Sequence, residues 1–124
     1  MDLLEQGATW LDDQRHRFMA RTVAYSRGAE SFTLSATIGR TVFEQADEYG
    51  VLHPLEARDF IVRAEDLVLS GGSALPKAGD QIRENDGGAV QVYEVMSPGS
   101  EPPWRYSDLY RRSLRIHTKH VGTE

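Results

Sequence analysis

Four histidines, nineteen carboxylates and one Ser-Gly-Gly-Ser segment are the groups in this chain whose types invite a search for chemistry. His117 and His120 look at first like a metal pair, because imidazole is the commonest side-chain metal ligand. On a strand, a spacing of three sends them to opposite faces, so they do not converge on one ion. His16 has no second histidine four residues on, and His53 stands alone. Neighbouring acids such as Asp47/Glu48 and Glu65/Asp66 carry little weight as acid–base pairs, since nineteen carboxylates make close pairs inevitable. Ser70-Gly71-Gly72-Ser73 lacks the Lys-Ser/Thr that follows in a phosphate-binding loop and is read as a flexible linker. No serine sits in a nucleophile-elbow context. No catalytic residue, metal site or cofactor is expected.

Two other features concern contact rather than catalysis. Between Arg105 and Lys119 the bases are Arg105, Arg111, Arg112, Arg115 and Lys119, and the only acid is Asp108. This is a basic stripe on a chain of net charge −5. One reading is a solvated strand face whose arginines pair with acids on a neighbouring strand. The other is contact with an acidic partner surface or DNA phosphate, and segregated charge also suits head-to-tail assembly of copies. Within Pro102-Pro103-Trp104-Arg105-Tyr106, the Trp, Arg and Tyr are the usual anchors of protein interfaces, held by two prolines that lower the entropy lost on docking. The competing reading folds Trp104 back to cap the core. The candidate partner-binding residues are therefore Trp104, Arg105, Tyr106, Arg111 and Arg115.

The elements that must position these residues follow from hydrophobic period. Asp2 to about Arg21 is expected to be a helix, with Leu4, Ala8, Leu11 and Phe18 on one face and Arg15 interrupting the stripe. Acids lead it and arginines end it, which complements the helix dipole, while Gly7 weakens it. After Arg21 the period becomes two. Thr22–Ser26 is a short strand; Phe32, Leu34, Ala36 and Ile38 alternate with Thr33, Ser35 and Thr37 in the clearest half-buried strand. The phase slips past Gly39, which predicts a bulge there. Glu44–Tyr49 is expected to be a polar loop or hairpin tip, Glu56–Arg63 a strand, and Ala64–Leu69 a helical turn. Pro76, Gly79 and Asp80 turn the chain into Gln81–Glu84. Asn85-Asp86-Gly87-Gly88 is a hairpin signal, and Ala89–Met96 the return strand. Ser97–Trp104 is expected to be an exposed loop, followed by a last strand over Tyr110–Lys119. Short strands with frequent turns point to a mainly β fold with an N-terminal α-helix, built as a small antiparallel β-barrel or sandwich.

Size and composition agree. The 124 residues suit a single domain over 1–124, with helix 2–21 and β domain 22–121, large enough to fold without disulfides or metal. There are no cysteines, which fits a reducing cytosol and removes thiol chemistry. No run approaches the roughly 20 apolar residues of a membrane helix, and the acidic start lacks a signal-peptide layout. Net negative charge argues against broad nucleic-acid binding and leaves room for DNA contact confined by geometry.

The segments Asp59-Phe60-Ile61-Val62-Arg63-Ala64-Glu65-Asp66-Leu67, Leu75-Pro76-Lys77-Ala78-Gly79-Asp80-Gln81-Ile82 and Val92-Tyr93-Glu94-Val95, in this order behind an N-terminal helix, resemble the head–tail joining proteins of tailed bacteriophages, also called head-completion or stopper proteins. The resemblance spans roughly residues 3–119, rests on short motifs, and does not include the Trp104–Tyr106 loop. It implies a structural, non-enzymatic virion protein made in the bacterial host cytoplasm. Such a protein is a monomer or weak oligomer alone and a homo-oligomeric ring between a portal or adaptor protein and a tail-terminator protein. It closes the portal channel after packaging, forms the tail-docking surface and comes only transiently near packaged DNA. The loops 44–54, 69–75 and 97–107 are then the segments that reach neighbours or the channel, with Glu44, Asp47, Glu48 and Tyr49 as channel candidates. The alternatives are a tail terminator or other tail-associated β protein and, from a different class, a small enzyme.

Overall fold

In the computed structural model, residues 3–7, 20–99 and 101–124 are described. Residues 3–7 are helical, and Leu4 is exposed there. The rest of the expected apolar stripe, Ala8, Leu11 and Phe18, and the Arg15 that interrupts it, lie outside the described residues. Arg21 already belongs to a strand, so the helix expected to reach it ends earlier.

Among the described residues nine strands follow: β1 Arg21–Arg27, β2 Glu30–Ala46, β3 Leu52–Arg63, β4 Val68–Leu69, β5 Gly72–Ser73, β6 Gln81–Asp86, β7 Ala89–Val95, β8 Trp104–Tyr106 and β9 Ser113–Thr123. β4 and β5 form a separate small hairpin. The other seven make one antiparallel sheet in the order β3-β2-β1-β6-β7-β9-β8, and β3 also pairs with β9. The sheet therefore closes on itself through β1, β2, β3, β9, β7 and β6, with β8 as a short strand added beside β9. Closure leaves these six strands few open edges, the standing hazard of a β protein.

Alternation explains the interior. Val23 and Tyr25, Leu34 and Ala36, Phe60 and Val62, Ile82, Tyr93 and Val95, and Leu114 and Ile116 all point inward and meet in one cluster. Leu67, just past the 3-10 turn Ala64–Asp66, is fully buried in the same cluster. Turn chemistry sets the register. Gly87 and Gly88 both have positive φ, the two-residue hairpin that the Asn-Asp-Gly-Gly segment predicts. Ser70 and Gly71 also both have positive φ, so the expected flexible linker is a tight turn between β4 and β5, with Glu30 accepting hydrogen bonds from the Ser70 amide and hydroxyl.

The predicted bulge at Gly39 is absent. The β2–β3 register runs unbroken through eleven pairs, from Ala36↔Val62 to Ala46↔Leu52. The slip has another cause: Thr37, Thr41 and Phe43 occupy the outer face of β2, beside residues of β3 and β9 that are themselves buried. A Cβ at Gly39 would lie 3.0 Å from a guanidinium nitrogen of Arg115, so glycine is there to let that side chain cross. The irregularity in the ring lies elsewhere, between β7 and β9, where Val92 pairs with Gly122 but Tyr93 with His120.

β2 pairs with β1 only as far as Ala36, and β3 with β9 only from Arg58. Residues 40–46 and 52–57 therefore continue past the ring's strand pairing as a two-stranded arm, whose base stays packed through Thr41, Phe43 and Ala57. Glu44 is in a strand of this arm, and the turn at its end is Asp47–Gly50. The Asp47 carboxylate accepts from the amides of Tyr49 and Val51 at 2.8 and 2.9 Å and meets His53 Nε2 at 2.8 Å, which fixes the turn.

Candidate functional site

Three buried carboxylates tie the ring together. Asp59, on the outer face of β3, is fully buried. It accepts hydrogen bonds from the Thr41 hydroxyl and from Arg115 Nη1 at 2.7 Å, and His117 Nδ1 lies 2.9 Å from its other oxygen. Phe43 packs edge-on against His117. Burial alone raises the carboxyl pKa, but the bonds from His117, Thr41 and Arg115 outweigh it and hold the group below its ordinary value.

Asp80 ends the Pro76-x-x-Gly79-Asp80 turn and is the second. Its carboxylate accepts from the Tyr25 hydroxyl, from Arg27 Nε and Nη2 at 2.9 and 2.8 Å, and from the Lys77 amide at 3.0 Å. Desolvation pushes its pKa up and these bonds pull it below normal, whereas the Tyr25 hydroxyl is pushed far up, by burial first and by Asp80 second. The turn motif is thus a buckle between β1 and β6. Glu84 is the third; it accepts from Arg21 at 2.6 Å and Arg58 at 2.6 Å, and the Arg58 guanidinium lies over the Tyr93 ring.

None of the three carboxylates borders either of two surface clefts, although Arg58 borders one of them. The cleft at the base of the arm, about 390 Å3, is bordered by Ile38, Gly39, Arg40, Glu56 and Arg58. A smaller one of about 270 Å3 lies between Ala64, Glu65, Ser73, Ala74, Leu75 and Tyr106. His117 and His120 do point to opposite faces: His120 packs on Tyr93, on the far side of β9 from Asp59.

The basic stripe resolves into two parts. Arg115 is committed to Asp59, Arg112 reaches Glu5 at 3.2 Å, and Lys119 lies 3.7 Å from Glu94. For these residues the pairing reading of the stripe describes the structure, and Arg115 is removed from the free surface. Arg105 and Arg111 remain exposed. Arg111 has positive φ, in a turn where Asp108 accepts the amides of Arg112 and Ser113, and its guanidinium lies 5.6 Å from the Tyr106 ring centre. Trp104 is half-buried against the core cluster and edge-on to Tyr106. The loop before it is less exposed than expected: Pro98 is fully buried, and Met96 and Pro103 are hydrogen-bonded to the His117 backbone.

The channel candidates sit together on the arm. Glu44, Glu48 and Tyr49 are exposed, Tyr49 by 83 %, while Asp47 serves the turn. Sequence reasoning missed that the arm also exposes Val42, Val51 and Leu52. Their alternation with polar residues was visible, but not that β9 stops short of covering them.

The buried, shifted carboxyls Asp59 and Asp80 are thus locked in internal hydrogen-bond networks. The chain belongs to the phage head-tail joining protein family, whose model matches residues 1–124. A search of curated proteins finds no match to it. Membership makes it a bacteriophage protein that interacts with head and tail components, and hence a part of the virion. Among the described residues, no helix is long and apolar enough to cross a membrane.

Proposed function

We propose that the chain, acting as one domain, is a structural head-completion part. It sits as a ring of copies between the portal or adaptor protein and the tail-terminator protein, closes the channel after DNA packaging, and offers the surface on which the tail docks. The full-length family match carries this reading. The fold is consistent with it. The buried carboxylates Asp59, Asp80 and Glu84 hold strands together, which suits a structural part. The partner-facing residues are Arg105, Tyr106 and Arg111 beside the half-buried Trp104, with Glu44, Glu48 and Tyr49 at the end of the arm. A net charge of −5 lets packaged DNA pass without tight phosphate binding. The protein is made in the host cytoplasm and is retained in the finished particle.

The discriminating experiment is a co-sedimentation assay against filled tailless heads and against purified headless tails. The head-completion role predicts binding to heads in a fixed copy number, with tails left bare. Binding to tails alone would replace it with a tail-terminator role.

A further inference from the structure

The arm and the turn after β8 carry opposite charge and cannot meet within one chain. From Arg40 to Glu56 the arm holds Glu44, Asp47, Glu48 and Glu56 against Arg40. From Trp104 to Arg112 there are Arg105, Arg111 and Arg112 against Asp108. Glu44, Glu48 and Arg105 have no ion-pair partner among the described residues, and all three are exposed. Each surface also carries apolar area: Tyr49, Val51 and Leu52 are 83, 54 and 60 % exposed at the arm end, and Leu75 and Leu109 are 50 and 90 % exposed around the cationic turn. The cleft between Ala64, Glu65, Ser73, Ala74, Leu75 and Tyr106 adjoins that turn.

Topology separates the two. Arg63 pairs with Ser113, so the cationic turn lies at the Arg63 end of β3, while the arm leaves from the opposite end. The eleven steps from Leu52 to Arg63 span roughly 36 Å of strand. The arm of one molecule therefore reaches only the cationic turn of another. Contact between two different surfaces of identical chains is heterologous and repeats from copy to copy, closing as a ring when the rotation allows.

We propose that the acidic arm end, Glu44, Glu48 and Tyr49, docks on the Arg105–Tyr106–Arg111 surface of a second copy of this chain, with Tyr49 seated against Leu75 and Tyr106 and the two glutamates facing the two arginines. The proposal rests on the ring reading above for its occupant, but its geometry comes from charge and strand register.

Charge reversal tests it on purified full-length protein by sedimentation velocity over a concentration series. Glu44→Lys with Glu48→Lys, and separately Arg105→Glu with Arg111→Glu, are each expected to weaken self-association about tenfold or more, because like charges then face each other. Mixing the two variants restores opposite charge at every arm–turn contact, and association is expected to return to near the wild-type level. All four side chains are exposed, so melting temperatures should stay within about 2 °C of wild type. Because the chain has no cysteine, a Glu48→Cys, Arg105→Cys variant should give a ladder of multimers with a short bis-maleimide, and Glu48→Cys alone should not. A Glu48→Cys, Arg105→Cys protein that gives no ladder, charge-reversal variants that associate like wild type, or a mixture that fails to recover would each overturn the proposal. Binding to filled heads is scored separately, so loss of this contact and loss of the head-completion role are distinguishable.

Discussion

Asp59→Ala lowers the unfolding free energy by about 3 kcal/mol, read as a shifted midpoint in denaturant at unchanged slope. The side chain is small, so little packing volume is lost. The cost comes from what it leaves behind: an Arg115 guanidinium and a His117 ring placed around a carboxylate that is no longer there. The figure sits at the low end for a broken buried pair because Arg115 keeps 22 % of its side-chain surface in water and can turn outward. Acid titration gives an independent readout. Asp59 is held below its ordinary value of 3.8, so its contribution is fully present above that pH and is lost as pH falls through the lower folded value. The variant should therefore lose less stability than wild type between about pH 4 and pH 2. Asp80, held low in the same direction by Arg27 and Tyr25, keeps part of the acid sensitivity in both proteins. An Asp59→Ala protein with the wild-type midpoint and acid profile would mean that the cluster is not holding β2, β3 and β9 together.

Trp104→Ala should cost about 2 kcal/mol of stability, below the figure for a fully buried aromatic because Trp104 keeps part of its surface exposed. It packs on the core cluster, meets Tyr106 edge-on, and lies opposite Ile116 in the pairing of β8 with β9. A fall in melting temperature of roughly 6–10 °C is expected for a chain of this size. Self-association of the folded variant should remain, since Arg105, Arg111 and the arm are untouched. An unchanged melting temperature with lost assembly would instead make Trp104 a docking anchor. The sequence posed both readings; the half-buried position of Trp104 on β8, against the core cluster, favours the core-capping one.

How much was legible depended on whether the cause was local. The Asn85–Gly88 hairpin was readable because two positive φ values need glycine at two adjacent positions. The inward set Phe60, Val62, Leu114 and Ile116 followed from period two. Gly39 was misread because its reason, Arg115, lies on another strand, and a glycine in a strand looks the same whether it allows a bulge or a close approach. Ser70-Gly71 was misread because small residues spell both linker and tight turn, and only the β4–β5 pairing and Glu30 decide. Asp59 attracted no notice, since a lone acid in an alternating strand looks solvated until Arg115 and His117 close over it. The stripe of bases was visible, but which of its members were spent internally was a question of register between β3 and β9. Glu44–Tyr49 reads as a loop or hairpin tip, and a hairpin turn does lie there; what the sequence hides is that both strands continue past the ring, whose end is decided by β1 and β9.

The most direct test of the account is add-back to particles assembled without this chain. Lysates lacking it should contain complete tails and separate heads that lose their packaged DNA through the unclosed channel, and purified wild-type protein supplied during packaging should close the heads and join them to tails as infectious particles. Heads and tails that join normally without the chain would contradict the account at its centre.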